Sequence, residues 1–104
     1  MAATPLTPTE LDQALTGLPG WSVRGGKLAA TFKADRSAVP GFYAAVAAAE
    51  DAADHHAEIT VLYGTIGFRL DTHDAGGAIT ARDTALAARV NALATEHGAR
   101  PAED

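Results

Sequence analysis

The chain contains no cysteine, which removes disulfides, thiolate nucleophiles and zinc–thiolate centres from consideration. No apolar run approaches the roughly 20 residues that a membrane-spanning helix requires. Positive charge is scarce as well: eight Lys and Arg stand against thirteen Asp and Glu, a formal net charge of −5. That balance argues against generic binding to nucleic acid or to an anionic membrane surface. The opening stretch MAATPLTPTE lacks the basic and apolar regions of a secretory signal, so a soluble, cytoplasmic protein is expected. Metal and nucleotide motifs are missing too. There is no H-E-x-x-H or H-x-H, no G-x-S-x-G, and Gly76 and Gly77 lack the Lys and Ser/Thr that a phosphate loop needs. No metal and no cofactor is therefore expected. What remains is an ordinary globular mixture, 47% hydrophobic and 20% charged over 104 residues, enough for one domain with one modest core.

Local chemistry divides the chain into seven elements. In TPTELDQALTGL, Thr7 can cap a helix, Pro8 suits its first position and Glu10 completes a capping box. Leu11, Ala14, Leu15 and Leu18 share one face, and Gly17, Pro19 and Gly20 stop the helix. GWSVRGGKLAATF predicts two strands, Trp21–Arg24 and Lys27–Phe32, around a Gly25–Gly26 turn. Residues 37 to 54 predict an alanine-rich helix starting between Ser37 and Pro40, with Phe42, Val46, Ala49 and Ala53 as its apolar stripe. EITVLYGTIGFRLDTH then alternates: Ile59, Val61 and Tyr63 on one strand face, Ile66, Phe68 and Leu70 on the next, with a turn at Gly64 and Thr65. Thr80 and Asp83 form another capping box, Leu86, Val90 and Leu93 carry the last helix face, and Gly98 ends it. The order α-β-β-α-β-β-α implies an α+β fold, one four-stranded antiparallel sheet with three helices on one side. The structured core is expected over about residues 7–97, with frayed ends that include the tail ARPAED.

Four histidines are present, and two of them, His55 and His56, are adjacent in DAADHHAEI. Inside a helix, neighbouring side chains point about 100° apart; at a helix end both rings can face one cleft. His73, beyond the next hairpin, could return towards His55. Three imidazoles near Asp51, Asp54, Asp71, Asp74 and Asp83 would exchange protons near neutral pH. Each piece has a plainer reading. The histidine pair can be a polar helix cap, Asp83 the third residue of its capping box, and Asp71, Thr72 and Asp74 ordinary strand-end residues. Trp21 and Tyr63 read as core aromatics, and His97 as a favourable cation at a helix C-terminus.

The spacing from Asp51 onward shifts the balance between these readings. Asp51, three residues, His55–His56, Ala57, five residues, Tyr63, nine residues, His73, nine residues, Asp83 closely resembles the signature of the pterin-4a-carbinolamine dehydratases. LTGLPGW is similar to that family's first helix running into a Gly-Trp strand start, and THDAGGAITARDTALA to its Thr-His-acid segment, glycine turn and final helix. The resemblance covers about residues 7 to 96. Two departures stand out: Ala57 occupies the position after the histidine pair where the family usually has proline, and Ile59 and Thr60 follow where an aromatic residue is common. The resemblance implies a hydro-lyase that converts 4a-hydroxytetrahydropterin to quinonoid dihydropterin, in tetrahydrobiopterin recycling after aromatic amino acid hydroxylation. It implies His55 and His73 as the acid–base pair and His56 as the group that orients the pterin and stabilises charge. Asp54, Asp71, Thr72 and Asp74 fall in the two segments that line the family's substrate pocket, and Asp51 and Asp83 are expected to support the histidines. It further implies a homodimer or homotetramer, no direct contact with nucleic acid or membrane, and a functional link to an aromatic amino acid hydroxylase. The alternative is a non-catalytic binding, assembly or coactivator module of the same fold.

Overall fold

The protein, seen in a computed structural model, is described here over residues 4–102. The elements run α1 (Pro8–Thr16), β1 (Ser22–Arg24), β2 (Lys27–Lys33), α2 (Val39–Ala53), β3 (Glu58–Leu62), β4 (Thr65–Leu70), α3 (Ala81–Glu96) and β5 (Arg100–Pro101), with short 3-10 turns at Arg36–Ala38 and His73–Ala75. The α+β reading holds. Antiparallel strands lie in the order β1-β2-β4-β3, and β5 pairs with β2 beyond the end of β1.

Period-two alternation places the core. Leu28, Ala30 and Phe32 of β2 and Ile66, Phe68 and Leu70 of β4 all point to one side, and all are buried. The register pairs Leu28 with Leu70, Ala30 with Phe68 and Phe32 with Ile66, so these side chains form a continuous apolar floor. Phe42 and Val46 of α2, and Leu86, Val90 and Leu93 of α3, cover it. Phe32, Phe42 and Phe68 meet edge to face with centroids 5.8–6.0 Å apart, the geometry aromatic quadrupoles favour. Each such side chain contributes about 1.5–3 kcal/mol by leaving water. Trp21 joins this cluster, and its indole N–H donates to Asn91 Oδ1 at 2.8 Å, so the ring is buried with its polar group satisfied.

Local signals set the helix starts. Both capping boxes form, Thr7 with Glu10 and Thr80 with Asp83. Gly25 and Gly26 both take positive φ, 59° and 79°, and close the first hairpin with Arg24 opposite Lys27.

Three expectations are corrected. The second hairpin turns at Tyr63–Gly64, not at Gly64–Thr65, because Leu62 pairs with Thr65. Tyr63 is consequently a turn residue with φ 52° and 75% exposure, not a core aromatic. A Cβ on Gly64 would collide with the carbonyl oxygen of Ala34, whose own N–H donates to Gly64 O; close approach is what requires glycine there. The sheet gains a fifth strand from the tail expected to fray. Arg100 and Pro101 pair with Lys33 and Phe32, and Ala102 N–H donates to Thr31 O. The last two tail residues, and the first three of the opening stretch, lie outside the described residues. At the other end, Leu6 N–H donates to Ile79 O, which ties residues before α1 to the start of α3. Among the described residues, no helix is long and apolar enough to cross a membrane.

Candidate active site

The histidine pair is placed by the way α2 ends. Asp54 takes a left-handed conformation, φ 52° and ψ 44°. Asp54 N–H donates to Asp51 O and His55 N–H to Glu50 O at 3.1 Å, the double closure of a Schellman motif. The chain therefore leaves the helix axis at His55, which escapes the 100° divergence of neighbours within a helix. His55 turns inward and is 9% exposed; His56 stays on the surface.

The second segment arrives by a loop that folds back on itself. Thr72 N–H donates to Ala78 O and Gly77 N–H to Thr72 O, with Gly76 and Gly77 at positive φ. His73 begins the 3-10 turn at the exposed tip of this loop, and Thr80 and α3 follow at once.

Asp83 joins the two segments. It is fully buried, and its Oδ1 lies 2.5 Å from His55 Nε2. Its Oδ2 accepts from Thr72 Oγ1 and from Thr80 N, both at 2.8 Å. The single hydroxyl hydrogen of Thr72 is committed to Asp83, so Thr80 Oγ1 donates to Thr72 Oγ1 across 2.7 Å. Thr80 Oγ1 in turn accepts from Arg82 N. Every hydrogen in the network then has one direction, and the carboxylate is an acceptor throughout. His55 therefore donates from Nε2. Among the described residues no buried side-chain nitrogen or oxygen lacks a partner, and His55 lines two cavities.

One of these cavities, about 210 Å³, is lined by Asp54, His55, His56, Asp71, Thr72, His73, Asp74 and Arg82. All three imidazoles expected from the sequence meet there, together with all four expected polar residues. Arg82 was not expected; its guanidinium lies 3.7 Å from Asp74, as Lys27 lies 3.9 Å from Asp71. Its signal was its place beside Asp83 in the first turn of a helix whose cap was legible. A larger groove of about 720 Å³ runs between α2 and α3, lined mainly by alanines and sharing His55 and Arg82 with the polar cavity. Apart from His55 it offers no acid–base group. The fourth histidine, His97, caps the C-terminus of α3 and lies over Phe42, away from the other three. Among the described residues, no cluster of His, Asp and Glu has the geometry of a metal site.

Asp51 serves His56 rather than His55: Asp51 Oδ1 is 3.0 Å from His56 Nε2. That hydrogen bond raises the His56 pKa above its ordinary value. Partial desolvation opposes the rise, and the charges of Glu50, Asp51 and Asp54 reinforce it.

Residues 4–93 match the family described as pterin 4 alpha carbinolamine dehydratase. A Streptomyces coelicolor protein named "Putative pterin-4-alpha-carbinolamine dehydratase" is 40% identical over 95% of this chain and 99% of its own length. A Rhodopseudomonas palustris protein of the same name is 44% identical over 88% of this chain and 92% of its own. The crystal structure of a Brucella melitensis protein, called a transcriptional coactivator/pterin dehydratase, superposes with a TM-score of 0.82 at 34% identity, covering 88% of this chain and 99% of that one.

Two outcomes test the site's electrostatics. In Asp83→Asn the amide should turn its oxygen to the threonine donors and its NH2 to His55. This moves the imidazole hydrogen to Nδ1 and costs about 1–3 kcal/mol of stability as charge-assisted bonds are lost. Long-range proton–nitrogen NMR correlations report the tautomer, and retention of the hydrogen on Nε2 contradicts the assignment. For His56, folding raises the pKa, so the pair with Asp51 stabilises the fold fully below the unfolded value. That contribution is lost as pH rises through the higher folded value. An NMR titration should place His56 above a free imidazole and bring it back in Asp51→Asn; an unchanged midpoint rules out the pairing in solution.

Proposed function

Since the chain belongs to the pterin-4a-carbinolamine dehydratase family, we propose that it removes water from a 4a-hydroxytetrahydropterin to give the quinonoid dihydropterin, by histidine acid–base catalysis in the cytoplasm. The observation that carries this reading is the convergence of His55, His56 and His73, from segments on either side of a hairpin, on one polar cavity. In the reaction the C4a–O bond breaks, an acid delivers a proton to the departing hydroxyl to form water, and a base takes a proton from the ring nitrogen. Imidazoles serve both steps near neutral pH.

His55 suits the base. Its Nε2 hydrogen is committed to Asp83, so in the neutral imidazole the one ring lone pair sits on Nδ1 in a fixed orientation. His73, exposed at the tip of its loop, suits the acid. His56 has a raised pKa and suits the part of a cation that orients the heterocycle and stabilises charge as hydroxide leaves. Asp54, Asp71, Thr72 and Asp74 supply polar contacts to the ring. The natural setting would be pterin recycling beside an aromatic amino acid hydroxylase.

A second reading has one observation in its favour: the Brucella relative is named a coactivator as well as a dehydratase. On that reading this chain is a non-catalytic binding module. An assay with synthetic 4a-hydroxytetrahydropterin separates the two. Acid–base groups contribute about 10²–10⁴-fold, so His73→Ala should lose about a hundredfold in rate, whereas His97→Ala should stay within about twofold. Equal effects remove the site assignment, and a wild-type rate indistinguishable from buffer leaves the binding module.

We also propose a homo-oligomer built through the free edge of β3. Val61, Leu62 and Tyr63 are 44%, 79% and 75% exposed there, and an unpaired strand edge with apolar neighbours invites a second copy. Light scattering after gel filtration should give a dimer or tetramer, and Val61→Lys should shift it towards monomer. A monomeric wild type disproves the assembly.

A further inference from the structure

The histidine pair is held by a residue that belongs to none of the groups above. Glu50 lies one turn after Val46 and two after Phe42, on the inward stripe of α2, and is 5% exposed. Aliphatic residues fill the neighbouring inward positions, and a carboxylate there is costly to desolvate. Among the described residues no cation pairs with it. Its Oε2 instead accepts the Ala57 N–H at 2.5 Å, a charge-assisted bond. Its main-chain carbonyl accepts the His55 N–H. One residue therefore grips the chain on both sides of His56, through its backbone before and its side chain after.

The turn needs such a grip. Asp54, which reverses the chain, adopts a conformation that glycine takes freely and other residues resist. Proline at position 57 would fix the backbone covalently, but it has no N–H and could not meet Glu50. Alanine at 57 leaves the amide that the carboxylate binds.

We propose that Glu50 is a positioning residue for the dehydration: its buried carboxylate, bound to the Ala57 amide, locks the turn that presents His55 and His56 to the substrate. This rests on the dehydratase reading for its effect on rate, though not for the lock itself. Three variants of the full chain test it. Glu50→Gln keeps an acceptor oxygen, Glu50→Leu fills the space without one, and Glu50→Leu with Ala57→Pro replaces the hydrogen bond by a covalent restraint.

With synthetic 4a-hydroxytetrahydropterin, kcat should stay within about threefold of wild type for Glu50→Gln. It should fall about tenfold or more for Glu50→Leu with KM little changed, as expected when catalytic groups are misplaced rather than removed. It should recover in the double variant. Amide hydrogen exchange at His55, whose N–H is bonded to the Glu50 carbonyl, should quicken in Glu50→Leu and slow again in the double variant, while the melting temperature of Glu50→Leu stays at or above that of wild type. Unchanged exchange at His55 in Glu50→Leu overturns the proposal, whatever the rate does. So does a loss that the added proline reverses in neither measurement. If the wild type itself does not dehydrate the pterin, the dehydratase reading fails, and the exchange data alone decide whether the lock exists.

Discussion

Asp83 sits where the start of α3, the loop after β4 and the C-terminal turn of α2 come within hydrogen-bonding reach of one another. Its carboxylate accepts from Thr80 N, Thr72 Oγ1 and His55 Nε2, one partner from each. A buried charge is tolerable when it is well hydrogen-bonded, and here the three donors include both a helix cap and the candidate base. The helix start and the orientation of the imidazole are thus consequences of the same three bonds. Without Asp83, α3 would begin with an unmatched amide and His55 would be free to rotate.

The sheet provides the rigid reference against which this junction is built. The pairing of β2 with β4 fixes Leu70 opposite Leu28, and Thr72 follows two residues later, already inside the protein. Because a strand alternates strictly, Leu70 pointing to the core and Thr72 pointing to Asp83 lie on the same side. Asp71 between them faces the other way, within 3.9 Å of Lys27. The polar cavity thus forms at the end of the apolar floor, where the inward side chains pass from Leu70, the last residue of β4, to Thr72 in the loop beyond it.

Much of this was legible in the sequence because the signals are local. Thr7–Glu10 and Thr80–Asp83 are each contained in four residues, and Gly25–Gly26 in two. The alternation of Ile66, Phe68 and Leu70 predicts a buried strand face without reference to the rest of the chain. What was missed depends on distant contacts. Tyr63 is a turn residue because Gly64 must pass close to Ala34, some thirty positions away, and no propensity encodes that approach. Arg100 and Pro101 become a strand because β2 extends past β1 and leaves its edge open, which the tail's own composition does not reveal. Glu50 left a faint local trace, an acid on an otherwise apolar stripe, but its meaning depends on the amide of Ala57. The convergence of the three histidines was available through spacing that resembles a family, whereas the pair taken alone reads more readily as a polar helix cap.

The first turn of α3 is closed by the bond from Thr80 N–H to Asp83. A first helical turn is the part of a helix that opens most readily, and here that opening breaks a bond to the same carboxylate that aims His55. Fraying of α3 and misalignment of the imidazole are therefore a single event. On warming, competence at this centre should fade with the unzipping of one turn, below the temperature at which the aromatic cluster of Phe32, Phe42 and Phe68 comes apart. The lifetime of one backbone proton at residue 80 is then a clock for how long the centre stays assembled.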